Sequence, residues 1–270
     1  MLKLSACIDM LYRELDFYDR FAAAKRAGLD AVEFWGFPGR DLARVREECE
    51  KNELTLAAVC VGGTGEAADR FNSRRLLYRD GIDDFVEVTK QSAKAAKTLG
   101  CKTFIITVGQ ERDDATRYEQ HANIVLALKA AAPIFEDAGL VMVVEPLNVL
   151  CNHRGYFLPS SYEAFEILEE VGSPAIKLLY DIYHQQISEG NLIPTIEKNI
   201  SLIGHFHVAD NPGRHEPGTG EINYRKVFEA IDKTDYDKYV GLEYSNTIDT
   251  TETIRNTLKL ASILLNLDLA

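Results

Sequence analysis

Val141-Met142-Val143-Val144-Glu145-Pro146-Leu147-Asn148 sets four consecutive apolar residues ahead of a carboxylate and a proline. Continuous apolarity of that length predicts a strand covered on both faces, as in a parallel sheet, because a half-exposed strand alternates polar and apolar positions. The strand is read over Val141–Glu145, and runs of the same kind stand on either side of it. They are Leu2–Ile8, Ala31–Phe34, Leu56–Val61 and Thr103–Thr107 before it, and Ile176–Tyr180, Ile203–His207 and Tyr239–Glu243 after it. Helical spacing fills the intervals. Phe17, Phe21 and Ala24 precede Gly28, Asp83–Leu99 ends at Gly100, and Ala122–Ala138 ends at Gly139. Ser161–Val171 opens with a Ser cap ahead of Glu163 and stops at Gly172, and Thr250–Leu267 closes the chain.

Eight strands alternating with about eight helices predict an α/β fold with a parallel crossover sheet closed into a (β/α)8 TIM barrel. A barrel of roughly 250 residues accounts for the whole chain, residues 1–270, as a single domain. An open doubly wound sheet is the alternative. Against it, no G-x-G-x-x-G follows the first strand, and Gly62-Gly63-Thr64-Gly65 lacks the Lys-Ser/Thr of a phosphate loop and reads as a flexible loop.

With 46% hydrophobic and 27% charged residues, the chain can bury a sizeable core. No run approaches the ~18 apolar residues of a membrane span. The net charge of −12 repels phosphate backbones, and no dense Lys/Arg run offsets it. No nucleic-acid and no membrane partner is therefore expected. Five scattered cysteines without a C-x-x-C pair point to reduced thiols and a cytoplasmic setting, with Cys7, Cys60 and Cys101 as small buried residues.

In a closed barrel the chemistry gathers at the C-terminal ends of the strands. Four consecutive strands deliver Glu145, Asp181, His207 and Glu243 there. An apolar strand that stops in a carboxylate needs a reason, because an unpaired buried charge is costly. A divalent cation shared by three carboxylates and one imidazole supplies it. Oxygen-rich donors suit Mn²⁺ or Mg²⁺ best, while Co²⁺ and Zn²⁺ also accept such a set. His205 lies two residues before His207 and shares its face, which places it deeper and hydrogen-bonded. Trp35 and Phe37, just after the second strand, are candidates for an apolar wall of the pocket. Asp113-Asp114 reads as a helix start.

These stretches resemble the xylose-isomerase-like barrels, and within them the hydroxypyruvate isomerase family and its sugar isomerase/epimerase relatives. The resemblance runs through Glu145-Pro146-Leu147-Asn148, Tyr180-Asp181-Ile182-Tyr183-His184-Gln185, Gly204-His205-Phe206-His207-Val208-Ala209-Asp210-Asn211-Pro212 and Gly241-Leu242-Glu243-Tyr244. The loop Glu216-Pro217-Gly218-Thr219-Gly220-Glu221-Ile222-Asn223-Tyr224 is its most specific part. It implies Glu145, Asp181, His207 and Glu243 as metal ligands, with Glu145 and Glu243 doubling as the catalytic proton-transfer carboxylates. His184 and Arg214 would hold substrate oxygens. Homo-oligomers paired through helices or loops at the rim are a further implication. Bacterial members often carry Gln where His207 stands, whereas the ketose 3-epimerases of the same barrel carry His.

Moving a carbonyl between adjacent carbons requires removing a proton and holding the enediolate that results. A small hydroxy-keto acid or keto sugar is therefore the expected partner, with hydroxypyruvate to tartronate semialdehyde the leading reaction. A ketose 3-epimerase or a 2-oxo-tetronate isomerase would use the same site. Three carboxylates against one divalent ion leave about one net negative charge, so an anionic substrate needs a cation, for which Arg214, His184 and His215 are the candidates. A metal-dependent phosphodiesterase of the endonuclease type is the remote alternative, opposed by only 6 histidines and the acidic balance.

Overall fold

The computed structural model describes residues 2–262. Their eight strands are β1 (Lys3–Cys7), β2 (Ala31–Phe34), β3 (Thr55–Cys60), β4 (Thr103–Ile106), β5 (Val141–Val144), β6 (Ile176–Asp181), β7 (Ile203–Val208) and β8 (Tyr239–Leu242). They pair in parallel in chain order, and β1 joins β8 to close the barrel. Each expected strand is present, with no end displaced by more than one residue.

The helices number ten among the described residues, more than strict alternation allows. They are α1 (Asp19–Ala27), α2 (Leu42–Lys51), α3 (Glu66–Arg74), α4 (Ile82–Leu99), α5 (Arg117–Ala138), α6 (Ser161–Val171), α7 (Ile182–Ser188), α8 (Leu192–Asn199), α9 (Tyr224–Asp232) and α10 (Thr250–Ser262). The surplus lies in two connections: β3 is followed by α3 and α4, and β6 by α7 and α8. The expected continuation of the last helix to Leu267 lies outside the described residues.

Local chemistry explains where the helices stop. Gly28, Gly100, Gly139 and Gly172 all take left-handed backbone at helix ends, where a side chain is disfavoured. The Ser160 hydroxyl caps α6 by accepting from the Glu163 amide. Asp113-Asp114 does not open a helix. Asp114 pairs with Arg112, and α5 starts at Arg117 behind a Thr116–Glu119 capping box, which satisfies two amide donors at once.

The main core fills the layer between sheet and helices, with Phe21, Phe34, Phe85, Phe104 and Phe135 fully buried. A second, small apolar cluster of Ala58, Ile105, Val143 and Leu179 comes from β3 to β6. Phe37 joins the main core and meets Phe104 edge-on. All five cysteines are free thiols, and Cys7 and Cys101 are buried. No helix among the described residues is long and apolar enough to cross a membrane.

Candidate active site

Glu145, Asp181, His207 and Glu243 converge from β5, β6, β7 and β8. One donor atom from each lies within 4.8 Å of every other. The strands themselves end at Val144 and Leu242, so the two glutamates stand one residue beyond. Their amides nonetheless continue the barrel ladder: Glu145 N donates to Ile106 O at 3.0 Å and Glu243 N to Val208 O at 3.1 Å. All four side chains are buried, with exposures of 7% for Glu145, 1% for Asp181 and His207, and 4% for Glu243. Three carboxylates at that depth are unfavourable without positive charge among them.

His207 is aimed by the opposite wall of the barrel. Its Nε2 lies 2.6 Å from Glu33 Oε1, while Glu33 Oε2 takes Ser5 Oγ at 2.6 Å and His205 Nε2 at 3.0 Å. In ring order β2 and β7 are separated by β1 and β8, so these bonds cross the barrel interior. Gly241 makes the crossing possible, since a Cβ there would meet Glu33 Oε1 at 2.5 Å and His207 Cδ2 at 2.7 Å. With Nε2 engaged by Glu33, Nδ1 faces Glu243 Oε2 at 3.3 Å and Glu145 Oε1 at 3.6 Å, buried and without a hydrogen bond. An orphaned ring nitrogen among three carboxylates fits a divalent cation, and the carboxylate behind the ring fixes its tautomer as in carboxylate–histidine–metal arrangements. His205 is the deeper, hydrogen-bonded ring that its spacing suggests. The sequence reading left Glu33 without a role, although a carboxylate inside the apolar run Ala31-Val32-Glu33-Phe34 was the signal.

Neighbouring groups set the charge states. Burial pushes Glu145 up to about 7, against the pull of His207. Burial alone would also raise Glu243, but the charges of His207 and Arg214 outweigh it and hold the group well below the usual carboxylate range. Glu33 is likewise held low, by His205 and His207. For His207, burial is overcome by Glu243 and Glu33, which favour the charged ring.

Arg214 reaches the cluster from the loop after β7. Its guanidinium donates to Glu243 Oε2 and lies 3.9 Å from Asp181 Oδ2. The loop is fixed by buried Asp210, whose carboxylate accepts from the amides of Gly218 at 2.8 Å and Ile222 at 3.1 Å. Trp35 also borders the site, its indole N–H donating to Glu243 Oε1 at 2.7 Å, so its contribution is a hydrogen bond and not only an apolar wall. His184 Nδ1 faces Asn148, 2.7 Å from the amide Nδ2, leaving Nε2 buried, partnerless and 3.7 Å from Asp181 Oδ2. Burial lowers this ring to about 4. His215 is turned away, with Nδ1 2.7 Å from Ser245 O.

Residues 21–262 match the family model described as Xylose isomerase-like TIM barrel. Hydroxypyruvate isomerase of Escherichia coli (strain K12) is 34% identical over 249 residues, covering 90% of this chain and 93% of that protein. 2-oxo-tetronate isomerase of Cupriavidus necator is 33% identical over 244 residues, with the same coverage of both chains. A crystal structure titled AP endonuclease, family 2, from Brucella melitensis superposes with a TM-score of 0.88 at 26% identity, covering 96% of this chain and 99% of that one. The chain belongs to the xylose isomerase-like TIM-barrel family and, within it, to the hydroxypyruvate isomerase group.

Proposed function

We propose that this protein is a metal-dependent isomerase that interconverts a small hydroxy-keto compound and its aldehyde isomer through an enediolate, with hydroxypyruvate to tartronate semialdehyde as the leading reaction. One observation carries the reading. Four buried donors meet at one point, and His207 Nδ1, backed by Glu33, is left among three carboxylates without a partner. Glu145, Asp181, His207 and Glu243 would hold the ion, and the oxygen-rich set favours Mn²⁺ or Mg²⁺. Such an ion supplies Lewis acidity toward the negative charge that develops on adjacent substrate oxygens.

The chain's own residues divide the remaining work. Glu243 is held on one oxygen by Trp35 and on the other by Arg214, which fixes its direction. Glu145 makes no comparable side-chain hydrogen bond among the described residues and can turn toward a substrate carbon. It would take the proton and return it to the neighbouring carbon, with Glu243 as the second proton-transfer carboxylate. His184, accepting at Nδ1, carries its proton on Nε2 and would donate to a substrate oxygen, and Arg214 would orient a second oxygen while restraining Glu243.

A 2-oxo-tetronate isomerase would use the same constellation and the same proton transfer on a longer chain, whereas a ketose 3-epimerase would return the proton to the same carbon from the opposite face through the second carboxylate. A phosphodiesterase needs a cationic face for a polyanion, which a net charge of −12 opposes. The test is proton NMR in D₂O on metal-stripped protein reconstituted with Mn²⁺, Mg²⁺, Co²⁺ or Zn²⁺, with hydroxypyruvate, 2-oxo-tetronates and ketoses as substrates. Metal-dependent deuterium incorporation at the reacting carbon is expected. Absence of exchange and product across the panel would contradict the proposal, and nicking of an abasic duplex would replace it.

A further inference from the structure

Beside the acidic cluster lies a cavity of about 580 Å³ whose walls include Arg75, Thr107, Gly109, Leu147, His153 and Tyr156. It shares a wall with the cluster. The Tyr156 hydroxyl donates to the Glu145 carbonyl oxygen at 2.8 Å, Leu147 follows two residues later, and the His153 ring centroid is 5.2 Å from that of His184. A 2-oxo acid carries its carboxylate directly on a reacting carbon, so a molecule held at the cluster has that group beside the wall the two spaces share.

The positive charge available there differs from what the sequence suggests. The charge of Arg214 is already balanced by Glu243, which leaves only its remaining N–H groups for a substrate oxygen, His184 is held neutral by its burial, and His215 is bound to the Ser245 carbonyl. Around the cavity, Arg74 pairs with Asp80 and Arg112 with Asp114. Arg75 is different. Half-buried on the cavity wall, its guanidinium makes no hydrogen bond or ion pair among the described residues and lies 5.2 Å from the Phe71 ring centroid. Burial without a partner pulls its pKa below the ordinary arginine value.

The backbone is also bent to this position. Arg75 has φ of 53°, uncommon for a residue with a side chain. It packs against Gly109, where a Cβ would come within 2.7 Å of the Arg75 Cβ. Strained backbone that presents an unpaired cation to a cavity beside a reaction centre is the pattern of a ligand clamp.

We infer that Arg75 recognises the carboxylate end of an acidic substrate, so that the site selects a hydroxy-keto acid over a neutral keto sugar. The inference rests on the isomerase reading for the position of the reacting carbons. One free guanidinium matches a single carboxylate with a planar fork, whereas a phosphate dianion would face Asp113 on the same cavity wall with one free cation to balance its two charges.

The experiment is equilibrium binding by calorimetry of three inert probes, glycerate, glycerol and glycerol 3-phosphate, to the intact metal-loaded protein and to its Arg75→Gln and Arg75→Lys variants. Glycerate is expected to bind about 10- to 100-fold more weakly to Arg75→Gln, with Arg75→Lys in between and glycerol unaffected. Thermal unfolding confirms that each variant is folded. In turnover, KM for the keto acid should rise in Arg75→Gln by a larger factor than kcat falls, a split that a merely structural role would not produce. Equal glycerate binding by wild type and Arg75→Gln, or tighter binding of glycerol 3-phosphate than of glycerate, would overturn the inference. Because the probes are not turned over, that failure leaves the isomerase reading to the deuterium-exchange test, and failure of exchange leaves the binding result intact.

Discussion

From β3 to β6 the side chains of Ala58, Ile105, Val143 and Leu179 form an apolar cluster of their own. Across the barrel, β1, β2 and β7 contribute Ser5, Glu33, His205 and His207, joined through the two oxygens of one carboxylate. The apolar side asks only for volume and shape, and neighbouring methyl groups satisfy it. The polar side must place each donor on an acceptor, because an unpaired polar group at that depth costs about 1–3 kcal/mol. The contrast shows how one barrel can close by burial on one side and aim a ring nitrogen at its mouth from the other. The polar half spends no bond on the mouth itself: Glu33 engages His207 Nε2 and leaves Nδ1 for the site above.

Single substitutions separate the contributions of the two halves. The largest effect is expected at the mouth. Glu145→Gln should lower turnover by about 10²- to 10⁴-fold while circular dichroism and thermal unfolding stay near wild type. An active Glu145→Gln enzyme would remove the catalytic assignment. Next comes the apolar half, where Leu179→Ala should destabilise the protein by about 2–5 kcal/mol in denaturant unfolding. Metal affinity of the folded fraction should be unchanged, and a loss of affinity there would show that the two halves are not separable. The smallest effect is expected for Glu33→Gln, which keeps the shape but weakens the hold on His207. Metal affinity, read by competition with a chelator, should fall about 10- to 100-fold. An unchanged affinity would mean that the carboxylate serves packing alone.

Much of this was legible in the chain, for identifiable reasons. Parallel strands buried on both faces leave continuous apolar runs, and Gly28, Gly100, Gly139 and Gly172 mark helix ends because left-handed backbone favours glycine. Glu145, Asp181 and Glu243 stood out because a carboxylate after such a run is anomalous. The doubled helices after β3 and β6 were less visible, since α7 and α8 are short and share one stretch with a single Gly190 break. Glu33 and Arg75 were missed for a common reason. Their roles depend on partners far along the chain, at His205 and His207 for one and around Gly109 for the other; a carboxylate within Ala31–Phe34 marks Glu33 as anomalous, but spacing along one element does not name those partners. Arg214 stood out as a loop cation after β7, but its pairing with Glu243 depends on how that loop folds back. Asp113-Asp114 misled because Thr116 offers a better cap three residues later.

The proposed chemistry depends on a cation held by Glu145, Asp181, His207 and Glu243 together. Calorimetric titration of metal-stripped protein with Mn²⁺, run beside a His207→Ala variant, addresses it directly. The expected result is one site per chain in the wild type and a large loss of affinity in the variant, with both proteins folded. Titration with no saturable binding, or equal binding by both proteins, would contradict it.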